Sequence, residues 1–216
     1  MVEGAARAGE PLLDVVEQWR SGMRRRPRVL LLNLVALVIV GAWALSMWVA
    51  PLTLDHDTVH LTHKGVVGHV DNANVTDAMP GFERWIYHAG DEQCHQLPQR
   101  SLSLNGNQMP FCSRCVSIYL LMAIGLAITV LPHLPRYDDI TALRWWVVVI
   151  ALVPIGVDGL GQLYGLWEST NLVRFVTGGL IGAVTGLALG FMLREVGAPL
   201  GDMLERRRKG NADRPG

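Results

Sequence analysis

VLLLNLVALVIVGAWALSMWVA, the stretch from Val29 to Ala50, decides the class of this protein: it carries no charge, and only Asn33 and Ser46 interrupt its apolar run. A bilayer core about 30 Å thick is crossed by roughly 20 helical residues rising about 1.5 Å each. The stretch therefore predicts a transmembrane helix over 29–51. Three more runs follow outward along the chain. One covers about 112–131, with Pro110, Phe111 and Cys112 expected to extend the same helix. Another covers 145–166 with Asp158 inside it, and the last covers 174–193, uncharged from Phe175 onward.

Composition agrees with this. Of 216 residues, 50% are apolar and 18% charged, against roughly 25% charged in soluble domains; the mean hydropathy is +0.26. Such a chain is too apolar for general disorder. Nineteen basic and nineteen acidic residues cancel, which points to no nucleic-acid partner. Three cysteines rule out a disulfide-dense mini-protein, since an odd number cannot all pair within one chain. The fold expected is an all-α integral membrane protein with four transmembrane helices and an extracytoplasmic Cys/His-containing loop between the first two.

Orientation follows from Lys and Arg near the span ends. Residues 1–28 hold six, the connection 132–144 holds Arg136 and Arg144, and the chain from Arg194 onward holds six more; the loop 52–111 holds Lys64, Arg84 and Arg100. The distribution places both termini in the cytoplasm and the long loop outside. It divides the chain into a basic, amphipathic segment 1–28, the first span 29–51, the outer loop 52–111, a three-helix core 112–196 and a basic tail 197–216. A cleaved signal peptide is the alternative for the first run, but both its basic segment and its apolar stretch exceed the usual lengths. In the fourth span Gly178, Gly182, Gly186 and Gly190 recur every four residues, a side-chain-free stripe against which another helix should lie. Gly161 and Gly165 in the third span offer a comparable stripe, so the third and fourth spans are expected to pack as a hairpin.

Chemistry concentrates in and at the end of the outer loop: Cys94 and six of the seven histidines lie within it, and Cys112 and Cys115 stand at its end. Cys94 and His95 are adjacent, and Cys112-Ser113-Arg114-Cys115 follows at the mouth of the second span. A Cys-x-x-Cys pair with a distant Cys and His is the donor set of a tetrahedral site for zinc or another soft divalent metal. With four ligands the shell is closed; with three, a water remains that the metal can activate. His95 is the less secure ligand, because adjacent residues seldom share one ion. The same thiols at a helix start, next to Arg114, also suit a membrane thiol–disulfide relay passing electrons to a quinone, and a structural disulfide with one bystander cysteine is the plainer reading. His56, His60 and His63, spaced by four and three, form a candidate second metal site or a solvated set.

Polar residues reappear near the outer boundary. Asp158 lies inside a span, where ionisable groups are functional candidates by default, and Gln162 follows one turn later on the same face. Glu168, Ser169, Thr170 and Asn171 precede the fourth helix, where the hydroxyls and amide suit an N-cap and Glu168 suits the positive dipole end. Arg174, a turn inside, must snorkel, pair with Asp158 or Glu168, or hold an anion. Convergence of this set with the cysteines is expected. The resulting function is a metal-dependent membrane enzyme acting on a lipid or isoprenoid-type substrate. Asp158 is its acid or base, Gln162 and Glu168 orient, and Arg174 holds an anionic group. The alternatives are a thiol–disulfide oxidoreductase using Cys112 and Cys115, and a non-enzymatic metal-binding or metal-sensing membrane protein.

Several of these strings recur together in one family. Cys94-His95-Gln96 with Pro98, Arg100 and Ser101, then Cys112-x-Arg114-Cys115, Asp158-Gly159 with Gln162, and Glu168-Ser169-Thr170-Asn171 with Arg174 and Thr177-Gly178 resemble the prokaryotic membrane protein family called domain of unknown function 2085. The resemblance covers about residues 84–192 and implies an integral membrane protein with a Cys/His cluster beside its outer face; it carries no activity with it.

Overall fold

The computed structural model describes residues 27–61, 67–131 and 145–212. Helix α1 spans Pro27–Thr53. The connection after it holds a single turn, α2, at Ala73–Thr76 and helix α3 at Gly81–Gln93. A 3-10 turn over Pro98–Arg100 leads into strands β1, Ser101–Leu104, and β2, Asn107–Cys112. Helices α4 (Ser113–Val130), α5 (Trp145–Leu163) and α6 (Asn171–Ala212) complete the described chain. Four stretches are long and apolar enough to cross a membrane: Leu31–Thr53, Ser113–Val130, Trp146–Leu163 and Asn171–Gly197. Leu31, Val38, Ile39 and Leu45 of α1, and Ile150, Val153 and Val157 of α5, are exposed, as helices facing lipid require. The protein is thus a mainly helical membrane protein. The segment 1–26, the connection 132–144 and His63 lie outside the described residues.

The fold is mostly helical with four candidate spans, as expected, and the long loop adds one short antiparallel β-hairpin in which Leu104 faces Asn107. Its two-residue turn, Asn105-Gly106, has φ of 53° and 75°; left-handed values at both positions are what Asn-Gly supplies at a tight hairpin. One expectation needs correction: Pro110, Phe111 and Cys112 do not extend the second membrane helix. They belong to β2, and the helix begins only at Ser113, with Cys112 as its N-cap. Proline lacks an N–H and the residue ahead of it avoids the helical region, so Pro110 suits an extended segment equally well.

The glycine stripe finds a different partner from the one expected. A Cβ at Gly182 would strike the Ile118 carbonyl, one at Gly186 the Met122 carbonyl, and one at Gly190 the Thr129 side chain; from the other side, a Cβ at Gly125 would strike the Ala183 carbonyl. The backbones of α4 and α6 therefore run in direct contact, and the seam joins the second and fourth spans rather than the third and fourth. Gly161 serves another purpose: the Trp167 ring fills its vacant side. Gly165, at φ 68°, closes the turn after α5.

Helix direction alternates. At one end of the bundle Asn33 Nδ2 of α1 donates to Thr129 Oγ1 of α4 and to the Gly190 carbonyl of α6, each at 3.1 Å. At the opposite end, where the cysteines lie, Asn107 Nδ2 of the hairpin donates to the Pro51 and Asp55 carbonyls at the close of α1 (3.0 and 2.9 Å). Its Oδ1 accepts from the Thr58 and Val59 amides (2.8 and 3.0 Å). Gln108 spans the same loop, donating to the Gln96 carbonyl (2.6 Å) and accepting from the Leu61 amide (3.1 Å). Gln96 in turn donates to the carbonyls of Tyr87 (3.0 Å) and Pro110 (2.8 Å). Each of these amides is buried, and an unmet polar group at such depth costs about 1–3 kcal/mol, so the network sets the hairpin's position over the bundle.

Candidate functional site

Cys94 closes α3 in an extended conformation, Cys112 ends β2 and caps α4, and Cys115 lies in the first turn of α4. Gly90 lets these segments meet, because a side chain there would collide with the Pro110 carbonyl. The Cys112 amide donates to Cys94 Sγ at 3.2 Å, and the Sγ atoms of Cys112 and Cys115 are 3.6 Å apart. All three sulfurs lie within 4.8 Å of one another, and among the described residues this is the one such group of metal-capable donors. The thiols are free. Sulfurs around a tetrahedral ion with metal–sulfur bonds of about 2.3 Å stand about 3.8 Å apart, close to the spacing here.

The surroundings are apolar. Met47, Met109, Phe111 and Val116 pack round the sulfurs, and Trp43, Phe111 and Tyr119 form a triangle of edge-on rings with centroids 5.8–6.2 Å apart. Outside the spans, two thiols are shifted in opposite directions. Cys112 is held well below the ordinary thiol range by hydrogen bonds from Cys115 first and Cys94 second. Cys94 is pushed up to about 11, chiefly through its hydrogen bond with Cys112 and also by burial. Three thiol donors in an apolar shell are a setting that suits a soft cation.

The predicted ligand His95 does not join the trio: it follows Cys94 in sequence, but its side chain is exposed and its nitrogens are not in the sulfur group. His56 and His60 are also exposed, and His60 Nε2 lies 3.3 Å from Asp57 Oδ1.

Asp158 is 5% exposed and anchors a second cluster at the same end of the bundle. Its carboxylate pairs with the Arg114 guanidinium and accepts from the Ser169 hydroxyl and, at 3.0 Å, from Gln162 Nε2. The partner of Asp158 is therefore Arg114, inside the Cys-x-x-Cys motif, and not Arg174. Arg174 is 3% exposed. It donates to Gln162 Oε1 (3.2 Å), Asn171 Oδ1 (3.2 Å) and the Gln99 carbonyl (3.3 Å). Thr170 caps α6 by accepting from the Val173 amide at 3.3 Å, which leaves Ser169 for Asp158 and Gln162. Ser113 Oγ donates to the Asn171 carbonyl at 2.7 Å, and Asn171 Nδ2 to the Ser101 carbonyl at 3.1 Å, tying hairpin, α4 and α6 together. Glu168 is exposed.

The sequence model of the predicted membrane protein family DUF2085 matches residues 94–190, from Cys94 to the last glycine of the stripe. An uncharacterized protein of Methanothermobacter thermautotrophicus is 37% identical over 97 residues, covering 44% of this chain and 81% of that one. The chain belongs to this family. An uncharacterized protein of Methanocaldococcus jannaschii is 44% identical over 89 residues, covering 41% of this chain and 56% of its own length. No solved structure matches. The part shared with the family contains the three sulfurs, the Asp158–Arg114 pair and the α4–α6 seam. All of α1 and the connection as far as Gln93 precede it.

Sequence reasoning missed four contributors: Arg114 as the carboxylate's partner, Ser169 as a hydrogen-bond donor to that carboxylate, and Asn107 and Gln108 as the struts under the hairpin. Asn105-Gly106 was the available signal for the hairpin; the other roles depend on distant residues and had none.

Proposed function

We propose that Cys94, Cys112 and Cys115 hold one soft divalent metal, zinc first, and that the protein is a metal-dependent membrane enzyme acting on a lipid or isoprenoid-type substrate at the outer membrane boundary. The observation carrying this is the gathering of three sulfurs from α3, β2 and α4 within 4.8 Å. Three protein ligands leave a fourth position for water or substrate, as in catalytic zinc sites. Asp158 is the candidate acid or base, Gln162 orients it, Glu168 stands at the solvent edge, and Arg174 holds an anionic group of the substrate.

A second reading is favoured by the pairing of Cys112 and Cys115 at 3.6 Å with a stabilised Cys112 thiolate. In it the two thiols lose two electrons and two protons to a quinone and become a disulfide. In a third, the protein handles or senses metal without catalysis and tolerates Asp158→Asn in its metal response.

Elemental analysis with free-thiol counting on the detergent-purified chain separates these readings. About one zinc per chain is expected, lost in Cys94→Ser and Cys112→Ser. Metal-free protein carrying a Cys112–Cys115 disulfide overturns the metal reading and favours the relay. For orientation, a reporter fused after residue 216 should be active only in the cytoplasm.

A further inference from the structure

The second cluster holds more positive charge than its own acids balance. Arg114 and Arg174 lie on either side of Asp158 and Gln162, and Arg174 also reaches the carbonyl of Gln99, next to Arg100. Arg174 lies within electrostatic range of both Arg100 and Arg114. Against three guanidiniums stand one buried carboxylate, Asp158, and the exposed Glu168. Like charges gathered in a partly desolvated place repel. The Nε atoms of Arg100, Arg114 and Arg174 are all buried and lack a hydrogen-bond partner among the described residues. Three orphaned donors in one neighbourhood are far from the ordinary condition of buried N–H groups, nearly all of which are paired.

Of the three, Arg174 lies in the first turn of α6, where the helix dipole favours negative charge. Beside them, Leu166, Trp167, Leu172, Val173 and Val176 present exposed apolar side chains.

We propose that Arg100, Arg114 and Arg174 form a binding site for a phosphate-type oxyanion, the head of a phosphorylated amphiphile whose tail lies along the exposed apolar side chains of α6. A tetrahedral oxyanion has enough acceptor oxygens to meet three guanidinium donors together, and arginine forks are the side chains suited to that geometry. The site rests on the enzyme reading above and names its substrate class. Phosphate is the shared chemistry, and it can arrive on a lipid or as the free ion.

The test is calorimetric titration of the full chain in maltoside detergent with two probes, inorganic phosphate and monomeric dihexanoyl phosphatidic acid, with zinc content read on the same samples. Saturable binding is expected, about tenfold weaker or more in Arg174→Gln and in Arg100→Gln, since each loses a charge-assisted hydrogen bond. Arg84→Gln, elsewhere in the loop, should bind as the parent does. Tighter binding of the lipid than of the free ion identifies a headgroup site; binding of inorganic phosphate alone identifies a soluble anion and removes the tail from the proposal. No saturable binding of either probe, or equal affinity in Arg100→Gln and the parent, overturns the site. Arg100 makes none of the contacts that join α5 to α6, so its variant decides the matter even if Arg174→Gln fails to fold. Zinc-loaded protein that binds no phosphate rejects this site alone, whereas zinc-free protein that binds phosphate through the arginines rejects the metal reading alone.

Discussion

At the far end of the bundle Asn33, Thr129 and the Gly190 carbonyl join three helices, and the Arg194 guanidinium donates to the Thr129 carbonyl, whereas at the cysteine end the helices meet over Asp158, Arg114 and Arg174. Both arrangements bury polar groups among apolar spans, and both link α4 to α6. They differ in what remains unbalanced. The far-end clamp leaves one amide oxygen, Asn33 Oδ1, without a partner among the described residues, a small deficit compatible with a purely structural role. The charged end leaves three arginine donors orphaned, and beside it three sulfurs share an apolar shell. Polar groups that only join helices come close to balance within the protein; groups left in surplus of one sign mark a place for a ligand.

Breaking the charged end should have the largest effect. Asp158→Leu strands Arg114 inside the protein, and loss of one member of a buried pair costs about 3–5 kcal/mol. Thermal unfolding followed by tryptophan fluorescence in detergent should drop accordingly, and the double variant Asp158→Leu/Arg114→Met should recover part of the loss. Equal stability of single variant and parent would show that the pair is not formed.

The seam between the two ends comes next. Gly186→Val drives a side chain into the Met122 carbonyl and should cost about 1–3 kcal/mol by overpacking, whereas Gly156→Val, where nothing lies within 4 Å of the added Cβ, should be close to neutral. The same unfolding measurement distinguishes them, and the reverse ranking would place the seam elsewhere.

Asn33→Ala sharpens the contrast. It should cost about 1 kcal/mol, as interhelical hydrogen bonds in membranes do, and leave zinc content unchanged. A loss of metal on this substitution would mean that the two ends are coupled through α4. The smallest effect is expected for His95→Ala: because its nitrogens lie outside the sulfur group, zinc stoichiometry should match that of the parent, and a fall in metal content would restore it as the fourth ligand.

Much of the fold is legible in local pattern. An uncharged run long enough for the bilayer core has few soluble alternatives, so the four spans can be read from composition and length alone. The close approach of a helix to the glycine stripe is also legible, because glycine every fourth residue stays on one side of a helix. Which helix fills it is not, since Gly161 looks equivalent in sequence and differs only because Trp167 folds back over it. The hairpin had a signal in Asn105-Gly106, outweighed by the apparent continuity of Pro110–Cys112 with the helix that follows.

By itself, the sequence determined that the protein enters the membrane, how many times its apolar runs can cross, and that Cys94, Cys112 and Cys115 have soft-metal chemistry, because hydrophobic length and donor type are properties of single segments. Only the tertiary structure decided that Arg114 rather than Arg174 pairs with Asp158, that the sulfurs meet without His95, and that three arginines share one neighbourhood. Those outcomes depend on which faces of separate segments meet, and on distances between residues far apart in the chain, neither of which is encoded in local spacing.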